Sequence, residues 1–262
     1  MHAAPRPLFD RLPIDGSLAE SDAHGDAVAL AARLATDGYL FFRGLMDRQR
    51  QLQVRRDILE LCLEAGWIDA TAPLMDAIYS GRPFPDAHEY RQLYFRLIEI
   101  PSFNELSNAP ELLALFTRLL GGEVLVHLRN IARISFPQHV LETTQPHQDF
   151  FFIGGTTETY TTWIPLGDCP RELGGLAIAE GSHRAGRLEH VETTGPGQHG
   201  VRFTGRWLTT DYRLGDVLLF HSHTVHGSLH NNSPDRVRLS VDYRYQRKDL
   251  PVDPASMLPH CG

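Results

Sequence analysis

Residues 123–136 read EVLVHLRNIARISF, and they divide the chain into two halves of different character. Upstream, apolar residues recur at helical spacing. Downstream come short β-branched runs separated by turns. The stretch itself alternates and is rich in Val and Ile, the pattern of one long strand with a buried face. TYTTWI at 159–164, GLAIA at 175–179, DVLLF at 216–220 and RVRLSVDYRY at 236–245 continue as strands. Gly154-Gly155, Gly174-Gly175, Gly195-Pro196-Gly197, Gly215-Asp216 and Ser233-Pro234-Asp235 supply the turns between them. Several strands punctuated in this way point to a double-sheet jelly roll or a related barrel.

Working back from residue 123, DAVALAARLAT at 26–36 has the spacing of an amphipathic helix, and Gly38 suits its C-terminal cap. YLFF at 39–42 reads as a strand closed by Gly44. A second helix is expected over about 47–65, with Leu52, Ile58, Leu59, Leu61 and Cys62 available to its buried side. A third covers about 89–98. Pro110 opens another as a first-turn residue, and Gly121-Gly122 ends it. Residues 69–88, rich in Pro, Gly, Asp and Ala, read as a flexible loop, and residues 1–20 as irregular chain. Helices followed by strands pack the helices on one face or end of the sheets. The expected fold is therefore mainly β with flanking helices. A jelly-roll core at about 123–247 is packed by a helical part at about 20–122, in a single domain over 1–262.

Composition is that of an ordinary globular protein. Of 262 residues, 42% are hydrophobic and 22% charged, which is ample for a core. The net charge of -7 and the lack of a long basic run argue against nucleic acid or an anionic membrane as partner. No apolar stretch approaches the roughly 20 residues that span a bilayer. Cys62, Cys169 and Cys261 are odd in number and far apart, so a reducing compartment and a cytoplasmic location are expected. Oligomeric state is not legible.

The chemistry centres on His147-Gln148-Asp149. In a strand, residues i and i+2 share a face, so His147 and Asp149 can reach one ion together. A distant histidine would complete a set of two imidazoles and one carboxylate, which leaves open positions on an octahedral ion. His221, His223, His226 and His230 all compete for that place, and spacing alone does not choose among them.

A resemblance does choose. GDVLLFHSHTVHGS at 215–228 resembles the stretch carrying the distal iron ligand in the phytanoyl-CoA dioxygenase family. There, Gly-Asp and a hydrophobic strand precede a histidine followed by Gly-Ser and a later Asn. His226, Gly227, Ser228 and Asn231 fit. WIPLGDCPRELGG at 163–175 is similar to the family's strand, loop and Gly-rich turn. EGSH at 180–183 is similar to its Pro-Gly-Ser-His turn, with Glu180 in place of the usual proline, and DGYLFFRGL at 37–45 to its first strand. The likeness touches most of 37–245 and is weakest over 69–122. It implies a site of Fe(II), 2-oxoglutarate and O2, with His147, Asp149 and His226 as metal ligands and catalytic centre. It also implies oxidation of a small-molecule metabolite or natural product, hydroxylation being the default outcome. Cyclisation, desaturation and epimerisation stay open. Asp149 argues against halogenation, since related halogenases replace the carboxylate with a small residue. The rival readings are a non-catalytic binding protein of the same fold and a zinc hydrolase or lyase.

The distal carboxylate of 2-oxoglutarate needs a fixed cation, and arginine's planar fork suits it. Arg236 and Arg238 share strand parity. Arg238 is preferred because Arg238-Leu239-Ser240 resembles the Arg-x-Ser pattern of 2-oxoglutarate enzymes, with Ser240 as an added donor. Trp163 and Ser228 match family positions beside the co-substrate. Arg129 and Arg133 share one face of the 123–136 strand. If that face looks into the barrel, they meet an anionic substrate or the co-substrate; if it looks outward, they are surface charges. The substrate pocket is expected to draw on the N-terminal helices, the 69–88 loop and the 184–204 connection, with GPGQHG at 195–200 as a lid. Tyr79, Tyr90 and Tyr94 are candidate lining residues.

Overall fold

The structure, a computed structural model, describes residues 12–139, 143–193 and 198–260. The lid at 195–200 is described only from residue 198, and Cys261 lies outside these segments.

The first described element is a strand, β1 (Ile14–Ser17), within what the sequence suggested was irregular chain. Helix α1 (Ala27–Asp37) follows. The Asp26 side chain accepts from Ala29 N at its start, and Gly38 closes it in the left-handed region at φ 80°. Strand β2 (Tyr39–Phe42) leads to α2 (Arg48–Glu64), which buries Val54, Ile58, Leu59 and Cys62. Leu52 and Leu61 are only half-buried. Gln51 takes the buried place instead, because its amide donates to Pro165 O at 3.1 Å.

Residues 69–88 are irregular but tied down. A single helical turn at Leu74–Asp76 and a bridge from Ile78 to Arg236 hold the segment against the last strand. Then come α3 (Ala87–Leu97), α4 (Pro101–Leu106) and α5 (Pro110–Leu120), with Gly121 as the left-handed cap of α5. The short α4, opened by Pro101, was not anticipated from sequence.

The long strand expected over 123–136 is two strands, β3 (Val124–Val126) and β4 (Ile131–Ser135). Both pair with one later strand. Val126 stands opposite Tyr245 and Ile131 opposite Asp242, so five steps on one side face three on the other. The surplus is a bulge that puts Leu128 into solvent. A second correction concerns the metal motif. Its residues do not share a strand: His147 forms an isolated bridge to His226, and Asp149 opens a one-turn helix, α6 (Phe150–Ile153), from a helical backbone conformation.

The remaining strands are β5 (Tyr160–Pro165), β6 (Leu176–Ala179), β7 (Val191–Glu192), β8 (His199–Gly200), β9 (Trp207–Thr209), β10 (Val217–His221), β11 (His226–Ser228) and β12 (Arg238–Arg247). One sheet runs β2-β10-β5-β12-β3, with β4 also on β12. A second runs β1-β9-β6-β11, and β7 pairs β8. This is a mainly β, jelly-roll fold.

The first sheet is buried on both faces, and its residues sort by parity. On β2 and β10, Leu40, Phe42, Val217 and Leu219 join the apolar core that also holds α1, α2, α3, α4 and α5 residues. Tyr39, Phe41, Leu218 and Phe220 point the other way, into an inner core with Trp163, Ile178, Leu208 and Tyr212. Strand β12 divides differently. Leu239, Val241, Tyr243 and Tyr245 face the helices, while Arg238, Ser240, Asp242, Arg244 and Gln246 turn inward and are buried as well. A buried polar row has to be satisfied by partners or ligands. That row positions the site. Among the described residues no helix is long and apolar enough to cross a membrane.

Candidate metal and co-substrate site

His147 and His226 meet through reciprocal backbone hydrogen bonds, 2.9 Å from His147 N to His226 O and 3.0 Å in return. Gly227 permits the approach, since a Cβ there would come within 3.2 Å of Pro146 N. Each ring is fixed by a carbonyl two residues upstream. His147 Nδ1 donates to Gln145 O at 2.8 Å, and His226 Nδ1 donates to Thr224 O at 3.0 Å. A carbonyl can only accept, so both Nε2 atoms are left with free lone pairs. Those two atoms stand 3.6 and 3.7 Å from the same oxygen, Asp149 Oδ1.

The other oxygen of Asp149 is occupied. Thr161 Oγ1 donates to Oδ2 at 2.5 Å and Arg244 Nε donates to it at 3.1 Å. Burial by itself would push the Asp149 carboxyl up. The Arg244 guanidinium and the two imidazoles overrule it and hold the group well below the usual carboxylate range. Burial, with His147 alongside, lowers His226 to about 3. The site is therefore a carboxylate and two imidazoles, three donors within 4.8 Å of one another and all buried. Among the described residues they are the one such group of histidine, cysteine or carboxylate side chains. His221, His223 and His230 lie elsewhere, against Tyr160, Phe150 and Thr143 respectively. The donor set fits a divalent iron with open positions.

One cavity adjoins this triad, and a second borders the first. The first, of about 340 Å³, is lined by His147 and Asp149 together with Arg129, Arg133, Phe152 and Arg244. The other, of about 310 Å³, is lined by Tyr90, Tyr94, Phe136, Ser228 and Arg238. Ile131, Arg133 and Thr144 border both. Arg238 is 4% exposed and donates to Ser240 Oγ at 2.7 Å, but its Nε has no partner. Among the described residues no carboxylate pairs with it. Burial pushes its pKa down, the signature of a cation short of a counter-ion. A bound carboxylate would supply one. Arg236 lines a third cavity with Arg55 and Asp76, which Arg238 also borders, but Arg236 lines neither cavity described above.

The sequence profile of the phytanoyl-CoA dioxygenase family matches residues 34–239. The chain belongs to that family. A 1-deoxypentalenic acid 11-beta-hydroxylase of Streptomyces exfoliatus is 30% identical over 229 residues, spanning 80% of this chain and 77% of its own. Among solved structures, the epimerase SnoN, in complex with Fe3+, alpha ketoglutarate and nogalamycin RO, superposes with a TM-score of 0.61. It is 23% identical, with 87% of this chain and 86% of that one covered. The carbocyclase SnoK gives 0.59 at 20% identity, with 90% of each chain covered. This phytanoyl-CoA dioxygenase family member is a non-haem iron, 2-oxoglutarate-dependent dioxygenase.

The structure thus brings together His147, Asp149 and His226, and places Ser228 and Arg238 in the wall of the second cavity, with Ser240 accepting from Arg238. Trp163 is fully buried in the inner core, its ring 4.7 Å from that of Tyr212, and lines neither cavity. Of the candidate lining aromatics, Tyr90 and Tyr94 line the second cavity, while Tyr79 packs on Phe136. Phe84 represents the 69–88 segment there, and Thr193, Gln198 and His199 represent the 184–204 connection in the first cavity. Arg129 and Arg133 look inward. Sequence reasoning missed Thr161 and Arg244. The available signal was parity, since Arg244 shares a strand face with Arg238 and Ser240.

Proposed function

We propose that this enzyme hydroxylates an unactivated carbon of a small natural-product-like molecule, converting 2-oxoglutarate and O2 to succinate and carbon dioxide. The carrying observation is the pair of Nε2 atoms aimed at one oxygen of Asp149, with a buried arginine in the neighbouring cavity that has no carboxylate partner among the described residues. His147, Asp149 and His226 would hold the iron, which when chelated by 2-oxoglutarate supplies the oxidising power for oxygen activation and C–H cleavage.

The rest is positioning. Thr161 and Arg244 fix Asp149 so that Oδ1 alone faces the imidazoles. Gln145 and Thr224 carbonyls set both tautomers. Arg238, steadied by Ser240, would pair with the distal carboxylate, and Ser228 borders the same cavity. The first cavity, with Phe152 and Ile153 in its wall, is left for the substrate. Hydroxylation rather than cyclisation or epimerisation is favoured by the name of the 30% identical relative. Helices and strands share one apolar core, which supports reading the chain as one catalytic domain.

The test is succinate release under air with ferrous iron and 2-oxoglutarate, including slow uncoupled turnover. The wild type should release succinate, and His226→Ala and Asp149→Ala should not. Loss in His223→Ala with retention in His226→Ala would overturn the ligand assignment. Absence of turnover in the iron-loaded wild type would favour a binding protein.

A further inference from the structure

The first cavity carries more positive charge than the iron site needs. Three arginines line it. Arg244 is committed to Asp149, and Arg133 donates to Asp242 at 3.0 Å and to Thr144 at 3.2 Å. Arg129 is different. Its backbone is used, the N–H to Ser256 O and the carbonyl to Arg244. Its guanidinium has no hydrogen bond or ion pair among the described residues, although it is half-buried. The bulge between β3 and β4 is what delivers it there, two residues surplus to the β12 register.

Charges and walls together define a ligand. Asp149 is the sole carboxylate among the described residues that line this cavity, and Arg244 already balances it. Ile131, Phe152 and Ile153 make the apolar part, with Phe152 41% exposed. The volume of about 340 Å³ suits a compact molecule rather than a long acyl chain or a polymer. Arg129 is also distinct from the arginine proposed for the co-substrate, since Arg238 lines the second and third cavities but not the first, and Arg129 lines only the first.

We infer that the substrate is a compact apolar molecule bearing one carboxylate, which Arg129 binds at the end of the first cavity away from Arg238. The inference rests on the oxygenase reading above. It predicts that recognition depends on charge, since a bidentate guanidinium–carboxylate pair is lost when the carboxylate becomes a neutral amide.

The probes are adamantane carboxylate and adamantane carboxamide, equal in shape and different in charge. Binding is measured calorimetrically to anaerobic protein loaded with iron and 2-oxoglutarate, whose visible chelate band is recorded in the same samples. Wild type should bind the carboxylate roughly tenfold or more tightly than the amide. Arg129→Gln should abolish that preference, Arg129→Lys should restore part of it, and both should keep wild-type 2-oxoglutarate affinity by the band. Equal binding of the two probes by the wild type, or no carboxylate binding up to millimolar concentration, would overturn the inference. So would an Arg129→Gln variant that loses 2-oxoglutarate affinity but keeps the preference. A missing band in the wild type would instead defeat the oxygenase reading itself.

Discussion

Thr161→Val removes one hydroxyl from the site and almost nothing else. Thr161 is 1% exposed, and valine fills nearly its volume. Its Oγ1 donates to Asp149 Oδ2 at 2.5 Å, a charge-assisted contact of the kind worth about 1.5–3 kcal/mol. Arg244 Nε still holds the same oxygen at 3.1 Å, so only part of that energy reaches the metal. The carboxylate gains freedom to rotate, and Oδ1 is less well aimed. Metal affinity should fall about tenfold, or about 1.4 kcal/mol, the lower end for residues that orient a ligand. The assay is anaerobic competition for Fe(II), or for Co(II) as an oxygen-stable stand-in, against a chelating dye. Thr162→Val is the control. Thr162 is equally buried, but its hydroxyl faces Tyr243 O at 3.4 Å, on the helix side of the sheet. It should lose stability without losing metal. An unchanged dissociation constant in Thr161→Val, or an equal drop in Thr162→Val, would refute the reasoning.

Gly38→Ala should destabilise more than Gly44→Ala. Both have positive φ, which costs alanine ~1–2 kcal/mol, but a Cβ at Gly38 would also sit 2.4 Å from His183 Nδ1 while Gly44 has open space. Equal losses in chemical denaturation would contradict this. Stability of the metal-free protein should decline as pH falls from 7 towards 5. His190, His221 and His260 are each lowered to about 4, chiefly by burial, so the unfolded chain takes up protons near 6.5 before the native state does. A melting temperature flat over that range would show that these rings are not held neutral.

The fold was legible where strands are apolar on alternate or both faces. YLFF at 39–42 and VLLF within 217–220 are buried on both sides because helices cover the outer face, which the helix-then-strand order implied. Strand β12 was legible as a strand but not as a wall. A polar face ordinarily meets water, and nothing local told Arg244 that its polar row would turn inward while the tyrosines went under the helices. That is why Arg244 and Thr161 escaped notice although Arg238 and Ser240 did not. The bulge at 127–130 was equally hidden, because alternation continues through it in sequence while the pairing partner skips two residues. The His147–Asp149 spacing suggested a shared strand face. The geometry instead comes from a bridge followed by a helical turn, a local change that tertiary pairing with β11 imposes.

The co-substrate reading rests on Arg238, the buried arginine of the second cavity. It is tested most directly by titrating 2-oxoglutarate into anaerobic, iron-loaded protein and following the visible charge-transfer band. Wild type and Arg236→Met should give the band with the same affinity. Arg238→Met should bind 2-oxoglutarate about a hundredfold more weakly, the loss expected when a bidentate, desolvated charge pair is broken, with metal affinity retained. A normal titration in Arg238→Met, or a loss confined to Arg236→Met, would contradict the account.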